Sequence, residues 1–339
     1  MNILHPTRLE LGTVTTLAFI LHPLTFSPMP TRKPIDPLSS LLMVSLCLTW
    51  GLQQVALKAA AHDVTPLLQL ALRSGIAALL VALYMALRKQ TIDLKNRHWR
   101  PGIVVGLLFA MEFLLLGEGL RHSTASHMVV MLYTAPVFAA IGLHFTIKAE
   151  RLHLAQWLGV ALAFAGLLTA FLGHNPPTTS AAAPATSLFG DALGILAGLS
   201  WAATTVVVRT TSLNHAPPAE TLLYQLIIAF ALLMSAALLM GQLHFNPTPL
   251  ALATLAFHSI IVSFISFLLW FWLLRHYLAS QLGVLSFQTP LYGVLFGILL
   301  LKEPLDPHFL LGASLVVAGI LLVSGYKFFR QLLTRTSST

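Results

Sequence analysis

Two charged side chains, Glu112 and Arg73, fall deep inside long apolar runs, where an ionised group is costly unless it is paired or wet. Glu112 stands nine residues before Arg121, which is roughly 13 Å along a helix, and Arg73 lies seven residues inside its own run, roughly 10 Å deep. Their depths match. Two readings follow: a permanent ion pair facing the interior, or a carboxyl that takes and releases a proton when the pair opens. Glu118 lies closer to the end of its run and reaches water on the simpler reading.

A second group is polar and aromatic. Ser45, Thr49 and Gln53 recur at four-residue spacing, one face of a helix, with Trp50 beside them, and Ser200, Trp201 and Thr204 make a similar set later on. Together they suit a polar cavity with aromatic walls for an amino acid or a nitrogen heterocycle, or else interhelical packing through small hydroxyl residues. Ser259, Ser263 and Ser266 form a further stripe for which packing is the favoured reading. Pro136 and Pro290 sit inside apolar runs, each removing a donor and freeing the carbonyl four residues back, on Leu132 and Ser286. Each has an aromatic neighbour, Tyr133 and Phe287, so these kinks are candidate gating hinges as well as static bends. His127 and His258 also fall within runs, as partners of a neighbouring helix or as proton relays.

The elements that position these residues follow from composition. Of 339 residues, 57% are hydrophobic and 9% charged, far below the roughly 25% charged of a soluble protein. Mean hydropathy is +0.82. So much apolar surface stays out of water only by facing lipid. Apolar runs long enough to cross a hydrocarbon core of about 30 Å occur at 39–58, 66–87, 101–120, 125–146, 154–173, 189–209, 219–240, 251–273, 280–300 and 308–326. Nearly continuous apolar stretches such as Leu41 to Leu48 argue against barrel strands, which alternate. The fold class is therefore all-α integral membrane, with ten transmembrane helices.

Basic residues set orientation. With the N-terminus cytoplasmic, that side holds Arg8, Arg32, Lys33, Arg88, Lys89, Lys95, Arg97, Arg100, Lys148, Arg151, Arg209, Arg275, Lys327, Arg330 and Arg335. The other side holds Lys58, Arg121 and Lys302. Both termini are expected in the cytoplasm, in the cytoplasmic (inner) membrane. The net charge of +8 is thus topogenic and no nucleic-acid surface is implied. Residues 1–37 read as a cytoplasmic tail in which Met29 is an alternative start, 174–188 as an extracytoplasmic linker, and 327–339 as a cytoplasmic C-terminal tail. One cysteine, Cys47, cannot form an internal disulfide, and no Cys/His spacing calls for a metal.

The chain also repeats itself. Arg121 to Ser126 recurs at Arg275 to Ser280, and the same offset of 154 carries Pro136 onto Pro290. An offset of 153 carries Gly159 onto Gly312 and Gly166 onto Gly319, and one of 151 carries Trp50 onto Trp201, Lys58 onto Arg209 and Pro66 onto Pro217. Five runs per half is odd, so the halves 38–173 and 189–326 run through the membrane in opposite senses, as two inverted five-helix repeats. Tyr224 stands at the repeat position of Arg73, Ser266 at that of Glu112 and Gln281 at that of His127, which leaves ionic chemistry in the first half.

Trp50-Gly51 with Lys58, Pro66 with Arg73, Tyr133-Thr134-Ala135-Pro136, Glu150-Arg151-Leu152 and Gln156-Trp157-Leu158-Gly159 resemble the EamA-type repeat of the drug/metabolite transporter superfamily. Its second copy is legible in Ser200-Trp201-Ala202, Gln288-Thr289-Pro290, Lys302-Glu303-Pro304-Leu305 and Gly312. The resemblance implies a ten-helix secondary transporter with a central cavity between halves, often an exporter of amino acids or related metabolites. The candidates for that cavity are Thr49, Trp50, Gln53, Tyr133, Ser200, Trp201, Thr204, Tyr224, Phe287 and Gln288, with Glu112 and Arg73 for ion coupling. No nucleotide-binding loop or catalytic constellation stands in the sequence, so no cofactor and no enzymatic activity is expected. The partners are a small-molecule substrate and the lipid bilayer. Efflux of cationic drugs, with Glu112 and the tryptophans holding the cation, and a membrane scaffold are the alternatives.

Overall fold

Pro37, Pro66, Pro218 and Pro249 each open a helix, where their missing N–H costs nothing and their fixed φ is already helical. Just before Pro37, Asp36 caps the first helix: Ser39 N–H donates to Asp36 Oδ1 at 2.8 Å, and Ser39 Oγ accepts from Asp36 N–H at 2.8 Å. The backbone N–H of Ser39 holds the Asp36 carboxyl below the usual carboxylate range.

A computed structural model describes residues 32–90, 98–119, 122, 125–172, 188–301 and 310–323. The helices are α1 (Pro37–Ala60), α2 (Pro66–Leu87), α3 (Trp99–Gly119), α4 (Ala125–Leu132), α5 (Ala135–Thr146), α6 (Leu154–Leu172), α7 (Leu188–Thr210), α8 (Pro218–Leu239), α9 (Pro249–Ala256), α10 (Phe267–His276), α11 (Ala279–Leu285), α12 (Thr289–Leu301) and α13 (Leu310–Val323). A π-helical segment, Phe257–Ser266, joins α9 to α10 without a break. Among the described residues there is no strand, only two isolated bridges, Lys33 with Tyr277 and Val64 with Phe245.

Among the described residues, seven of the resulting rods are long and apolar enough to cross a membrane, and three shorter apolar stretches accompany them at Val130–Thr146, Leu154–Ala170 and Leu310–Val323. The fourth run is broken locally where α4 ends at Leu132 and α5 restarts at Ala135, with Pro136 in its first turn. Its repeat partner breaks likewise, through a 3₁₀ turn at Ser286–Gln288 just before Pro290. Both prolines therefore follow a local departure from α-helical geometry. On α2, Leu79, Leu83 and Leu87 are more than half exposed while Ala77, Val81 and Met85 are buried, the division expected of a helix with one face to lipid.

Packing runs between the halves. α1 lies against α12, α7 against α4 and α5, α2 against α8, and α3 against both α7 and α8. α6 meets α13 through glycines: a Cβ on Gly166 would lie 2.6 Å from the Gly312 carbonyl oxygen, and one on Gly319 would lie 2.5 Å from the Gly159 carbonyl oxygen. Only bare backbones approach this closely. Gly166→Val is expected to lower stability by at least about 1–3 kcal/mol through overpacking. Gly117→Ala, where nothing lies within 4 Å, is expected to stay within about 0.5 kcal/mol. Thermal unfolding in detergent compares them.

Arg32 to Asp36, assigned above to a free tail, are pinned to the second half. Lys33 N–H donates to the His276 carbonyl at 3.0 Å, Leu278 N–H donates to the Lys33 carbonyl at 3.1 Å, and Tyr277 Oη donates to Asp36 Oδ2 at 3.0 Å. Residues 1–31, the linker 174–187, Arg121, Lys302-Glu303 and the C-terminal tail lie outside the described residues, as do the side chains of Lys58 and His127.

Candidate functional site

Helices that are apolar all round can still leave a pocket with a few polar groups where aromatic rings hold the backbones apart. Here a cavity of about 100 Å³ lies between the halves. The first half supplies Trp50 and Gln53 from α1, Glu112 and Phe113 from α3, and Tyr133 from the break between α4 and α5. The second half supplies Trp201, Thr204 and Thr205 from α7, Gln225 from α8, and Trp270 and Phe271 from α10. Edge-to-face contacts set the walls: Trp50 meets Trp270 at 5.6 Å between centroids, and Tyr133 meets Trp201 at 5.5 Å. Trp50 Nε1 donates to Ser266 Oγ at 3.0 Å, which fixes its ring.

The expected Glu112 to Arg73 ion pair is not formed. Arg73 Nη1 instead donates to Gln53 Oε1 at 3.0 Å, its guanidinium lies 4.7 Å from the centre of the Phe113 ring, and its Nε has no partner. A neutral amide and an aromatic face take the place of the carboxylate. Glu112, 8% exposed, has no hydrogen bond among the described residues and faces the cavity, near enough to Arg73 for the charges to interact.

Of the ten cavity candidates, Trp50, Gln53, Tyr133, Trp201 and Thr204 line the space. The other five do not. Thr49 and Ser45 point their hydroxyls at their own helix, onto the carbonyls of Ser45 and Leu41, and Ser200 accepts at its carbonyl from Thr204. Tyr224 sits at the α3 to α8 contact, over Gly102, with its hydroxyl donating to Glu220. Phe287 is fully buried beside Phe164, and Gln288 is held by the Leu285 carbonyl and Tyr292. These five were chosen by helix face, by repeat position, as the neighbour of Pro290 or from the family motif, and none of these captures how far each helix is turned about its axis. Gln225, Thr205, Trp270 and Phe271 went unseen because their helices carry no amphipathic period to mark an inner face.

A separate buried charge cluster ties the halves together. Glu150 accepts from Arg209 Nη2, from the N–H groups of Ala279 and Ser280 at 3.0 and 3.1 Å, and from Ser280 Oγ at 2.8 Å. Glu150 and Arg209 are each 1% exposed. Arg209 Nη1 also reaches Asn214 Oδ1 and the Leu274 carbonyl, and Arg32 donates to the same two residues. Burial lowers Arg32 to about 10, which leaves it charged at neutral pH. Within the sequence Glu150 stood out only as part of the family motif.

Known proteins agree with this architecture. The EamA-like transporter family model matches residues 37–172 and 188–325. The chain is 26% identical over 291 residues to the "Uncharacterized transporter YoaV" of Bacillus subtilis (strain 168), covering 85% of this chain and 97% of the relative. It is 26% identical over 300 residues to the "Probable amino-acid metabolite efflux pump" of Salmonella typhimurium, covering 85% and 96%. A solved crystal structure with 18% sequence identity superposes with a TM-score of 0.72, covering 90% of this chain and all of that one. With two copies of the family model over most of its length, and an all-helical, membrane-type fold to match, this chain is a membrane protein of the EamA-like transporter family.

Proposed function

We propose that the chain is a secondary active exporter of a small, amino-acid-like metabolite, working by alternating access around the aromatic cavity. The observation that carries this reading is the cavity between the halves, into which a buried carboxyl without a hydrogen bond, Glu112, is turned. At about 100 Å³ it is smaller than the roughly 150 Å³ apolar cavity that admits benzene. An amino-acid-sized substrate needs more room than this, which a cycle of alternating access would supply. The interrupted helices at Pro136 and Pro290 are the proposed hinges, and the two halves, 38–173 and 189–326, are the inverted five-helix repeats of a ten-helix bundle. Exchange of packing partners supports that symmetry: α1 on α12 is matched by α7 on α4 and α5, and Gly166 against Gly312 by Gly319 against Gly159. The name of the Salmonella typhimurium relative supports the substrate class.

Glu112 among tryptophan and phenylalanine rings favours a second reading, efflux of a cationic drug. Untargeted comparison of culture medium from deletion and overexpressing strains separates the two. Amino acids accumulating on overexpression support the first; unchanged metabolites with lowered retention of a cationic dye support the second. Neither change would leave a scaffold.

Orientation is testable by reporter fusions. With both termini in the cytoplasm of the inner membrane, fusions after Arg97 and Arg330 are expected to report cytoplasm and one within Pro176 to Ala185 the opposite side. A cytoplasmic signal at the last site would overturn the inverted arrangement.

A further inference from the structure

The π-helical segment Phe257–Ser266 has no counterpart in the first half, where the repeat-related α3 is α-helical from Trp99 to Gly119. At the offset of 154, His258 stands where α3 has Val104 and Ser266 where α3 has Glu112. π turns recur at functional sites because the wider turn redirects side chains that a plain helix would aim elsewhere. Both of these residues reach α1 at the level of its cavity-lining residues. Ser266 takes the indole N–H of Trp50, and His258 Nε2 lies 3.2 Å from the Gln53 carbonyl oxygen.

The proton on His258 can be placed from its two contacts. Gln69 Nε2 lies 2.8 Å from His258 Nδ1, and an amide nitrogen only donates, so Nδ1 is the acceptor. Nε2 then carries the hydrogen and donates it to the Gln53 carbonyl. Turning the Gln69 amide over would leave an unprotonated Nε2 facing a carbonyl oxygen in the neutral ring, so the arrangement is self-consistent in one sense only. His258 is 1% exposed and does not line the cavity. Its reach into the cavity runs through Gln53, whose side-chain oxygen holds Arg73 Nη1 at 3.0 Å, with the guanidinium over Phe113, the neighbour of Glu112.

We propose that His258 is a positioning residue of this transporter: from the π segment it fixes Gln53 on α1, and through Gln53 it holds the Arg73 guanidinium beside the cavity carboxyl of Glu112. The first half thus supplies the charges, and the second half supplies the fixture that sets their spacing. The charged groups around Gln53 in this arrangement are Arg73 from α2 and Glu112 from α3, with His258 neutral between Gln69 and Gln53. This inference rests on the reading of the cavity as the substrate site.

The test needs no substrate. Dicyclohexylcarbodiimide attacks a carboxyl in its uncharged form in an apolar setting, and its rate at Glu112 can be followed by mass spectrometry of the purified full chain, with Glu112→Gln as the blank. Without its fixture Arg73 drifts from Glu112, which then spends more time uncharged, so His258→Leu is expected to raise the labelling rate by about threefold or more at pH 7. His258→Gln, whose amide nitrogen can still donate to the Gln53 carbonyl, is expected to bring the rate back to within about twofold of the native protein. Gln69→Leu leaves the Nε2–H bond to the Gln53 carbonyl in place and is expected to raise it by less than His258→Leu does. A His258→Leu protein with native thermal stability and native labelling would overturn the proposal, and so would failure of His258→Gln to restore the rate. Should His258→Leu not fold, His258→Asn, whose shorter amide does not reach the Gln53 carbonyl, decides: native labelling there overturns it. Because no transport is measured, these outcomes are independent of whether the metabolite assays succeed.

Discussion

Glu150→Gln is expected to cost about 3–5 kcal/mol of stability, the loss typical of breaking a buried charge pair on one side. The carboxylate of Glu150 is met by donors only: Arg209 Nη2, two backbone N–H groups and the Ser280 hydroxyl. Glutamine keeps one acceptor oxygen and presents an NH₂ group to the remaining donors, so at least one buried donor loses its partner. Arg209 fares worst. Its Nε is already without a partner, and it would keep only Asn214 and the Leu274 carbonyl. Thermal unfolding in detergent would show a lowered midpoint. Glu150→Gln combined with Arg209→Met is expected to be more stable than the single variant, because the stranded charge is then gone. A single variant as stable as the native chain would mean that water reaches the cluster.

Glu150 also shows what could and could not be read from the sequence. Membrane class and helix positions follow from bulk properties, apolar run length and sparse charge, which survive any detail of packing. Breaks at Pro136 and Pro290 follow from backbone chemistry alone. The partners of buried polar groups do not, because they depend on how far each helix turns about its axis and how deep it sits. Arg73 illustrates this: matched depth suggested Glu112 as its partner, yet the guanidinium turns to Gln53 and Phe113, which lie at compatible depth on different faces. Gln53 was picked out for its spacing from Ser45 and Thr49, but those two turn their hydroxyls to their own helix and only Gln53 reaches the cavity. The π segment was illegible for a similar reason, since Phe257 to Ser266 reads as one more apolar stretch and the extra residue per turn is imposed by what packs around it. Repeat symmetry helped with backbone features, such as the glycine contacts of α6 and α13, and failed for Phe287 and Tyr224, because two halves with the same trace need not carry equivalent side chains.

The absence of a direct bridge to Arg73 changes what Glu112→Gln should do. Had the pair been locked, glutamine would have stranded a buried guanidinium and the protein would have been lost from the membrane. With Arg73 already held by Gln53 and Phe113, the variant is expected to reach the membrane at native abundance and unfold at a native temperature. Transport is where the change should appear. Glutamine copies the shape of the protonated acid and cannot release the proton, so a cycle that exchanges a proton at this position is held in one protonation state. Proteoliposomes loaded with the metabolite class identified by the export comparison would report it. Uphill movement driven by a pH gradient is expected to fall by about a hundredfold or more, the low end of what a positioned proton-transferring side chain contributes. Exchange of labelled for unlabelled substrate at equal concentrations, which needs no net proton movement, is expected to survive and to lose its variation with pH. Native pH-dependent transport by the variant would remove Glu112 from the coupling step, and loss of the protein from the membrane would return the carboxylate to a purely structural role.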